Sequence, residues 1–243
     1  MEYMLIHTVD PELAPATSAE EDEAWKIFTA WSDELDAADD ARTLHGSRLC
    51  PPADATTIMI KDGKLLITDG PYAETREQIG GYDVMECAGI DAAIGWAGKH
   101  PHALMGSVEA RPLHRGQSEA NPPAELADPG VGSVRYLMLI WIDRAAETAT
   151  VHKIIRQNRL ARGGETPRGR VFAAELEPAD TARTVRIRSA DVAVSDGPFC
   201  QEAQQLAGFE LLDAADLDEV IKVASTHPLA PHAVLEVRPL WTS

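Results

Sequence analysis

An α+β fold built from two copies of one unit is what this sequence predicts, on three observations. Asp69-Gly70-Pro71-Tyr72 recurs as Asp196-Gly197-Pro198-Phe199, and the stretches that follow run in step, since 196 − 69, 208 − 81 and 227 − 100 all equal 127. Between Asp69–Leu113 and Asp196–Leu240, 16 of 45 positions are identical. Both stretches also show the same order of short apolar runs and helical periods. A repeat this long marks a duplicated domain and not a solenoid. The expected division is copy one at 1–115, a linker at 116–132 carrying Asn121-Pro122-Pro123, Pro129-Gly130 and Gly132, and copy two at 133–243.

In copy one, Tyr3–Val9 reads as a mostly apolar strand. A helix is expected from about Ser18 to Ala38, with Thr17 or Ser18 as N-cap and Glu20 or Glu21 completing a capping box. Trp25, Ile27, Phe28, Trp31 and Leu35 recur at helical spacing and predict its buried face. Arg42–Cys50 returns as a strand stopped by Pro51-Pro52. Ile58–Ile60 and Leu65–Thr68 form a hairpin across Asp62-Gly63, a pair suited to positive φ. Gly81–Cys87 is the next strand, Ile90–Lys99 a second helix stopped at His100-Pro101, and Ser107–Leu113 the closing strand.

Copy two repeats the order with Tyr136–Ile142, a helix around Thr150–Leu160, Val171–Leu176, Val185–Ile187, Val192–Val194, Phe209–Leu212, Leu217–Ser225 and Val234–Leu240. Without its hairpin, each copy reads β-α-β-β-α-β, the ferredoxin-like split βαβ arrangement with both helices on one sheet face. Alternation in the closing strands is incomplete, which predicts burial on both faces. Two such sheets face to face satisfy that requirement, and the expected whole is an intrachain pseudo-dimeric α+β barrel.

The formal net charge of −17 argues against nucleic acid, whose phosphates are met by Lys and Arg. Residues 1–115 carry 9 basic and 21 acidic groups, and residues 133–243 carry 13 and 15. The arginines of copy two fit a solvated surface, a face turned toward the acidic first helix, or an anion pocket. No apolar run reaches the ~18 residues of a membrane helix. Cys50, Cys87 and Cys200 show no metal spacing, fitting a reducing compartment and a cytoplasmic protein.

The chain resembles the YCII-related family, in particular its DGPF-motif branch, over both copies. In copy one the resemblance rests on Tyr3-Met4-Leu5, Pro51-Pro52-Ala53, Asp62-Gly63-Lys64, Thr68 through Glu77, Gly80-Gly81-Tyr82 and Val108 through Leu113. It implies a dimeric α+β barrel with pockets between sheet and helices, and a link to transcription control through neighbouring sigma-factor genes. Family members with a His–Asp dyad carry its histidine on the first helix. Here that position falls near Thr29, so the dyad chemistry does not carry over.

Asp69 and Asp196 open a turn whose Gly and Pro set the backbone, either as an Asx-type cap or, for Asp69, as a general base at a pocket mouth. Copy one keeps the phenol of Tyr72 where copy two has Phe199, and adds Glu74, Arg76 and Glu77. His45, close to Arg42, is the histidine expected to serve acid–base work. His7 is a second candidate because its repeat partner is Ile140. His100 and His227 end matching helices and read as structural. Cys200 is a weak nucleophile candidate, and Gly80-Gly81 fits close backbone packing. His100-Pro101-His102 does not share a helical face, so neither metal nor cofactor is expected, and no phosphate-cradling loop or nucleophile elbow is present.

The function expected is binding or converting a small organic molecule in the copy-one pocket, by cofactor-free proton transfer of isomerase or lyase type. His45 and Asp69 are its expected catalytic groups, and Tyr72, Glu74, Arg76, Arg42 and His7 its expected contacts. The alternative is a non-catalytic accessory or ligand-sensing module with a protein partner. The chain is expected to act as a monomer with an internal pseudo-dimer or as a homodimer.

Overall fold

The computed structural model describes residues 1–72, 75–114, 126, 128–143, 153–154, 169–189, 191–200 and 204–241. Copy one runs β1 (Glu2–Val9), α1 (Ser18–Asp36), β2 (Ala41–Arg48), β3 (Thr56–Lys61), β4 (Lys64–Asp69), β5 (Gln78–Cys87), α2 (Ile90–Ala97), α3 (His102–Met105) and β6 (Gly106–Pro112). Copy two runs β7 (Val134–Asp143), β8 (Arg170–Glu175), β9 (Arg183–Arg188), β10 (Asp191–Asp196), β11 (Gln204–Ala214), α4 (Leu217–Ser225) and β12 (Val234–Pro239). The expected copy-two helix around Thr150–Leu160, apart from helical residues 153–154, and most of the linker lie outside the described residues.

The fold class is α+β, with two six-stranded antiparallel sheets in the orders β10-β9-β6-β1-β5-β2 and β4-β3-β12-β7-β11-β8. The inner four strands of each sheet, β6-β1-β5-β2 and β12-β7-β11-β8, have the ferredoxin-like order. The hairpins are exchanged. Copy one's β3–β4 extends the copy-two sheet through Val237↔Thr56, and copy two's β9–β10 extends the copy-one sheet through Val108↔Val185. The compact units follow this exchange and not the repeat. One comprises the described residues of Met1–Arg48, Thr75–Glu125 and Glu177–Cys200, and the other those of Leu49–Glu74, Leu126–Leu176 and Gln201–Ser243.

Local signals set the elements. Thr17 caps α1 in a full capping box with Glu20, satisfying amides that the first turn leaves unpaired. Asp62 and Gly63 adopt φ of 52° and 72°, the pair of positive values that a two-residue hairpin matches to strand twist. Trp31 and Leu35 bury α1 against β1, β5 and α2, and the Trp31 indole N–H donates to the Trp96 carbonyl at 3.1 Å. Burial of such side chains contributes about 1.5–3 kcal/mol each. Trp25 departs from the expected face and is 66% exposed, stacking on Phe28 outside the core. The closing strands β6 and β12 are buried on both faces, as their incomplete alternation indicated, and β1 and β7 are buried likewise. No helix among the described residues is long and apolar enough to cross a membrane.

Candidate functional site

The Asp-Gly-Pro motif builds a turn in each sheet. Gly70 and Gly197 both hold φ of 92°, their amides donate to Ala55 and Ala182, and their carbonyls accept the Thr57 and Thr184 hydroxyls at 2.8 Å. The next aromatic residue is anchored by its backbone. The Tyr72 N–H donates to Glu236 Oε2 at 3.3 Å, and the Phe199 N–H to Glu109 Oε2 at 2.9 Å. Glu109 and Glu236 are fully buried beside Arg111 and Arg238, two residues along the same strand. Burial raises the Glu236 carboxyl above the usual range despite Arg238, the Tyr72 amide and the Trp141 indole. Each turn thus docks its hairpin on a buried Glu–Arg pair of the other copy's closing strand. The repeated Glu-x-Arg-Pro-Leu was the sequence signal for this pair.

The expected site residues disperse. Asp69 is exposed on β4 in the second compact unit, whereas His45 belongs to the first, where its Nδ1 lies 2.8 Å from the Tyr82 hydroxyl. Asp196 pairs with Arg183 at the surface. Arg42 pairs with Glu86, and Arg76 with Asp10 and Glu12, all with exposed arginine side chains. The Tyr72 phenol is raised by partial burial and by Asp143, against a hydrogen bond with Gln204. Glu74 lies outside the described residues. Glu77 accepts from Thr8, Ser107 and Arg186; burial alone would raise its carboxyl, but these bonds together hold it below the ordinary range.

His7 stands elsewhere, in a buried cluster that the sequence did not assemble. Along β1, Tyr3 and Leu5 face the helix-side core, and the same alternation carries His7 there. Ladder pairing sets Leu5 opposite Asp83 and His7 opposite Gly81. His7 Nε2 and Asp83 Oδ2 are 3.1 Å apart. The turn from α2 to α3 brings His100 and His102, their rings stacked with His7 at centroid distances of 4.0 and 5.1 Å. His100 Nε2 is 3.9 Å from Asp83 Oδ2. Trp31 and Phe28 of α1 meet the His100 ring edge-on and shut out water.

Glycines make room for these rings. A Cβ on Gly46 would sit 1.8 Å from Asp83 Oδ1, and one on Gly81 would meet the Ser47 carbonyl at 2.9 Å and His7 Nδ1 at 3.3 Å. Gly80-Gly81 therefore allows close packing as expected, with His7 and His102 the side chains accommodated. His7, Asp83 and His100 are buried, at 4%, 6% and 1% exposure. His7 Nε2, Asp83 Oδ2, His100 Nε2 and His102 Nδ1 make no hydrogen bond among the described residues. Burial pushes His102 down to about 3, with electrostatic contributions from His7 and Arg48 adding, and holds His100 well below the ordinary imidazole value. Both rings are therefore neutral at neutral pH.

Copy two closes the same position. Glu210 replaces Asp83 and His227 replaces His100, while Ile140 and Leu229 stand where copy one has His7 and His102. The pairings Tyr3↔Pro112 and Tyr136↔Pro239 confirm the register that makes His7 and Ile140 equivalent. Glu210 is held by Arg170 at 3.0 Å and by His227 Nε2 at 3.3 Å. One turn bond is common to both copies: the amide two residues on donates to Nδ1 of His100 and of His227, at 3.2 Å each.

A duplicated ferredoxin-like scaffold with one polar cluster and one sealed counterpart defines the class of protein. The chain belongs to the YCII-related domain family, whose model matches residues 1–116 and 168–242. It is 39% identical over 69 residues to an uncharacterized protein of Rhizobium meliloti (strain 1021), a match spanning 28% of this chain and 56% of that protein. Among solved structures, a chain described as a candidate chlorite dismutase is similar at 7% identity and TM-score 0.48, over 99% of this chain and 94% of its own. An anthrone oxidase-like protein is similar at 10% identity and TM-score 0.39, over 99% of this chain and 90% of its own. Both scores are below 0.5, and neither bears on function.

Proposed function

We propose that this YCII-related protein binds or converts a small organic molecule at the His7–Asp83–His100–His102 cluster of copy one, in a proton transfer of isomerase or lyase type. The observation that carries this reading is the buried grouping of three imidazoles around the Asp83 carboxylate, four of whose polar atoms make no hydrogen bond among the described residues. Each unmet buried polar group costs about 1–3 kcal/mol, a deficit that folded proteins retain where a ligand or a reaction uses it. Imidazoles and a carboxylate held out of water can take and return a proton from a bound molecule. Copy two supports the same view, since its equivalent carboxylate is neutralised by Arg170 and suits a structural role.

A thermal-shift screen of small organic acids, phenols and lactones tests this, on wild type, Asp83→Asn and Asp69→Asn. A hit lost in Asp83→Asn and kept in Asp69→Asn is the expected result. A hit lost only in Asp69→Asn returns the site to the exposed motif carboxylate and overturns the cluster reading. The accessory-module reading draws on the exposed Leu65, Leu66, Ile67, Val192 and Val194 of edge strands β4 and β10, and no hit in any protein would favour it.

A further inference from the structure

We infer that His7, His100 and His102 together bind one divalent transition-metal ion of the zinc class, with the Asp83 carboxylate beside it to neutralise its charge. The inference shares its residues with the proposed function but stands on their geometry and not on the reaction. One ligand nitrogen from each imidazole lies within 4.8 Å of the other two. Tetrahedral zinc with Zn–N of about 2.0–2.1 Å brings its nitrogens to roughly 3.3 Å from one another, so the set closes by about 1.5 Å or less. Imidazole is the donor that suits zinc, copper, nickel and iron, whereas oxygen-only sites suit magnesium and calcium.

Three further observations point to an ion. His7 Nε2, His100 Nε2 and His102 Nδ1 are buried and make no hydrogen bond among the described residues, so the donors are already stripped of water. Asp83 supplies an anion 3.1 Å from His7 Nε2 and 3.9 Å from His100 Nε2. Copy two, which keeps only one imidazole, fills the equivalent space with Ile140 and Leu229 and sets the Arg170 cation against its carboxylate. A cation is thus paired with this buried carboxylate in copy two, and a metal ion supplies it in copy one. His100 joins the set by surrendering the weak 3.2 Å turn bond from the His102 amide, which frees Nδ1 to carry the proton while Nε2 ligates.

The experiment uses the full chain without an affinity tag, stripped with a chelator, then titrated with Zn²⁺ by calorimetry and with Co²⁺ by visible absorption. One equivalent per chain, a higher melting midpoint and the intense absorption of four-coordinate Co²⁺ are expected. His102→Gln should weaken the ion at least tenfold, and His7→Gln with His102→Gln should abolish uptake, whereas the exposed His232→Gln should change nothing. Each stripped variant is first checked for wild-type far-UV circular dichroism; His102, half-buried, is the substitution least able to unfold the chain. A folded wild type that takes up neither ion overturns the inference, as does a double variant that retains the full equivalent. Uptake without any organic ligand overturns the proposed function and leaves this inference standing. An organic ligand bound by stripped protein that takes up no metal does the reverse.

Discussion

The two copies answer the same physical problem differently at one position. A carboxylate on the third core strand, Asp83 or Glu210, is buried against the turn that follows the second helix. In copy two a guanidinium and an imidazole, Arg170 and His227, both lie against Glu210, although Glu210 Oε2 and Arg170 Nε and Nη2 make no hydrogen bond among the described residues. In copy one the ladder position corresponding to Arg170 is Thr43, so Asp83 meets imidazoles in place of a guanidinium. A permanent guanidinium charge favours stability, and imidazoles that are neutral at neutral pH leave the carboxylate available to something else. The duplication lets one chain carry both solutions.

The largest effect should come from breaking the sealed version. Arg170→Thr gives copy two the residue of copy one and leaves Glu210 with His227 alone, with an expected loss of about 3–5 kcal/mol in urea unfolding. Glu109→Ala or Glu236→Ala should cost a similar amount, because each removes the carboxylate beside a buried arginine and releases the aromatic turn of the exchanged hairpin. The two glutamates should behave alike, marking where the copies agree. A harmless Arg170→Thr would break the comparison.

The reverse exchange should be far gentler. His7→Ile with His102→Leu converts the cluster toward copy two, removing two buried ring nitrogens that make no hydrogen bond among the described residues and leaving His100 beside Asp83. In chelator-treated protein it should be neutral or mildly stabilising, by up to about 2 kcal/mol. A pH series sharpens the same point. His102 drops from 6.5 to about 3 on folding, so between those values the unfolded chain binds more protons than the folded one. Stability of the stripped protein is therefore full above about pH 6.5 and is lost as pH falls toward 3. Denaturant midpoints at pH 7.5 and 5 should show that drop, and it should shrink in the double variant. The smallest effect belongs to Asp69→Asn, an exposed change expected to stay within about 0.5 kcal/mol in thermal unfolding.

Much of this architecture was legible along the chain because its causes are local. The capping box at Thr17, the Asp62-Gly63 hairpin and the 127-residue offset all depend on neighbours in sequence. The hairpin exchange was not legible, since β3 carries the same apolar pattern whether it pairs with its own copy or the other. Trp25 kept helical spacing yet missed the core because it lies at the edge of the α1 stripe. His7 stands out in the sequence by its contrast with Ile140, and His102 against Leu229 is an equal contrast. Asp83 was hidden by looking like a conservative partner of Glu210. What joined them was a fold that brings residues 7, 83, 100 and 102 together, a distance no local pattern encodes.

The exchanged hairpins also govern the order in which this chain can mature. Thr56 waits for Val237, 181 residues later, and β6 waits for β9 through Val108 and Val185. During synthesis the second sheet is not finished until β12 has emerged, and the first not until β9 and β10 have. Until then β6 presents an open, apolar edge, the surface through which nascent chains pair with the wrong neighbour. Such long-range closure predicts slow folding. Expressed alone, residues 1–115 should therefore self-associate, each copy lending its hairpin to another.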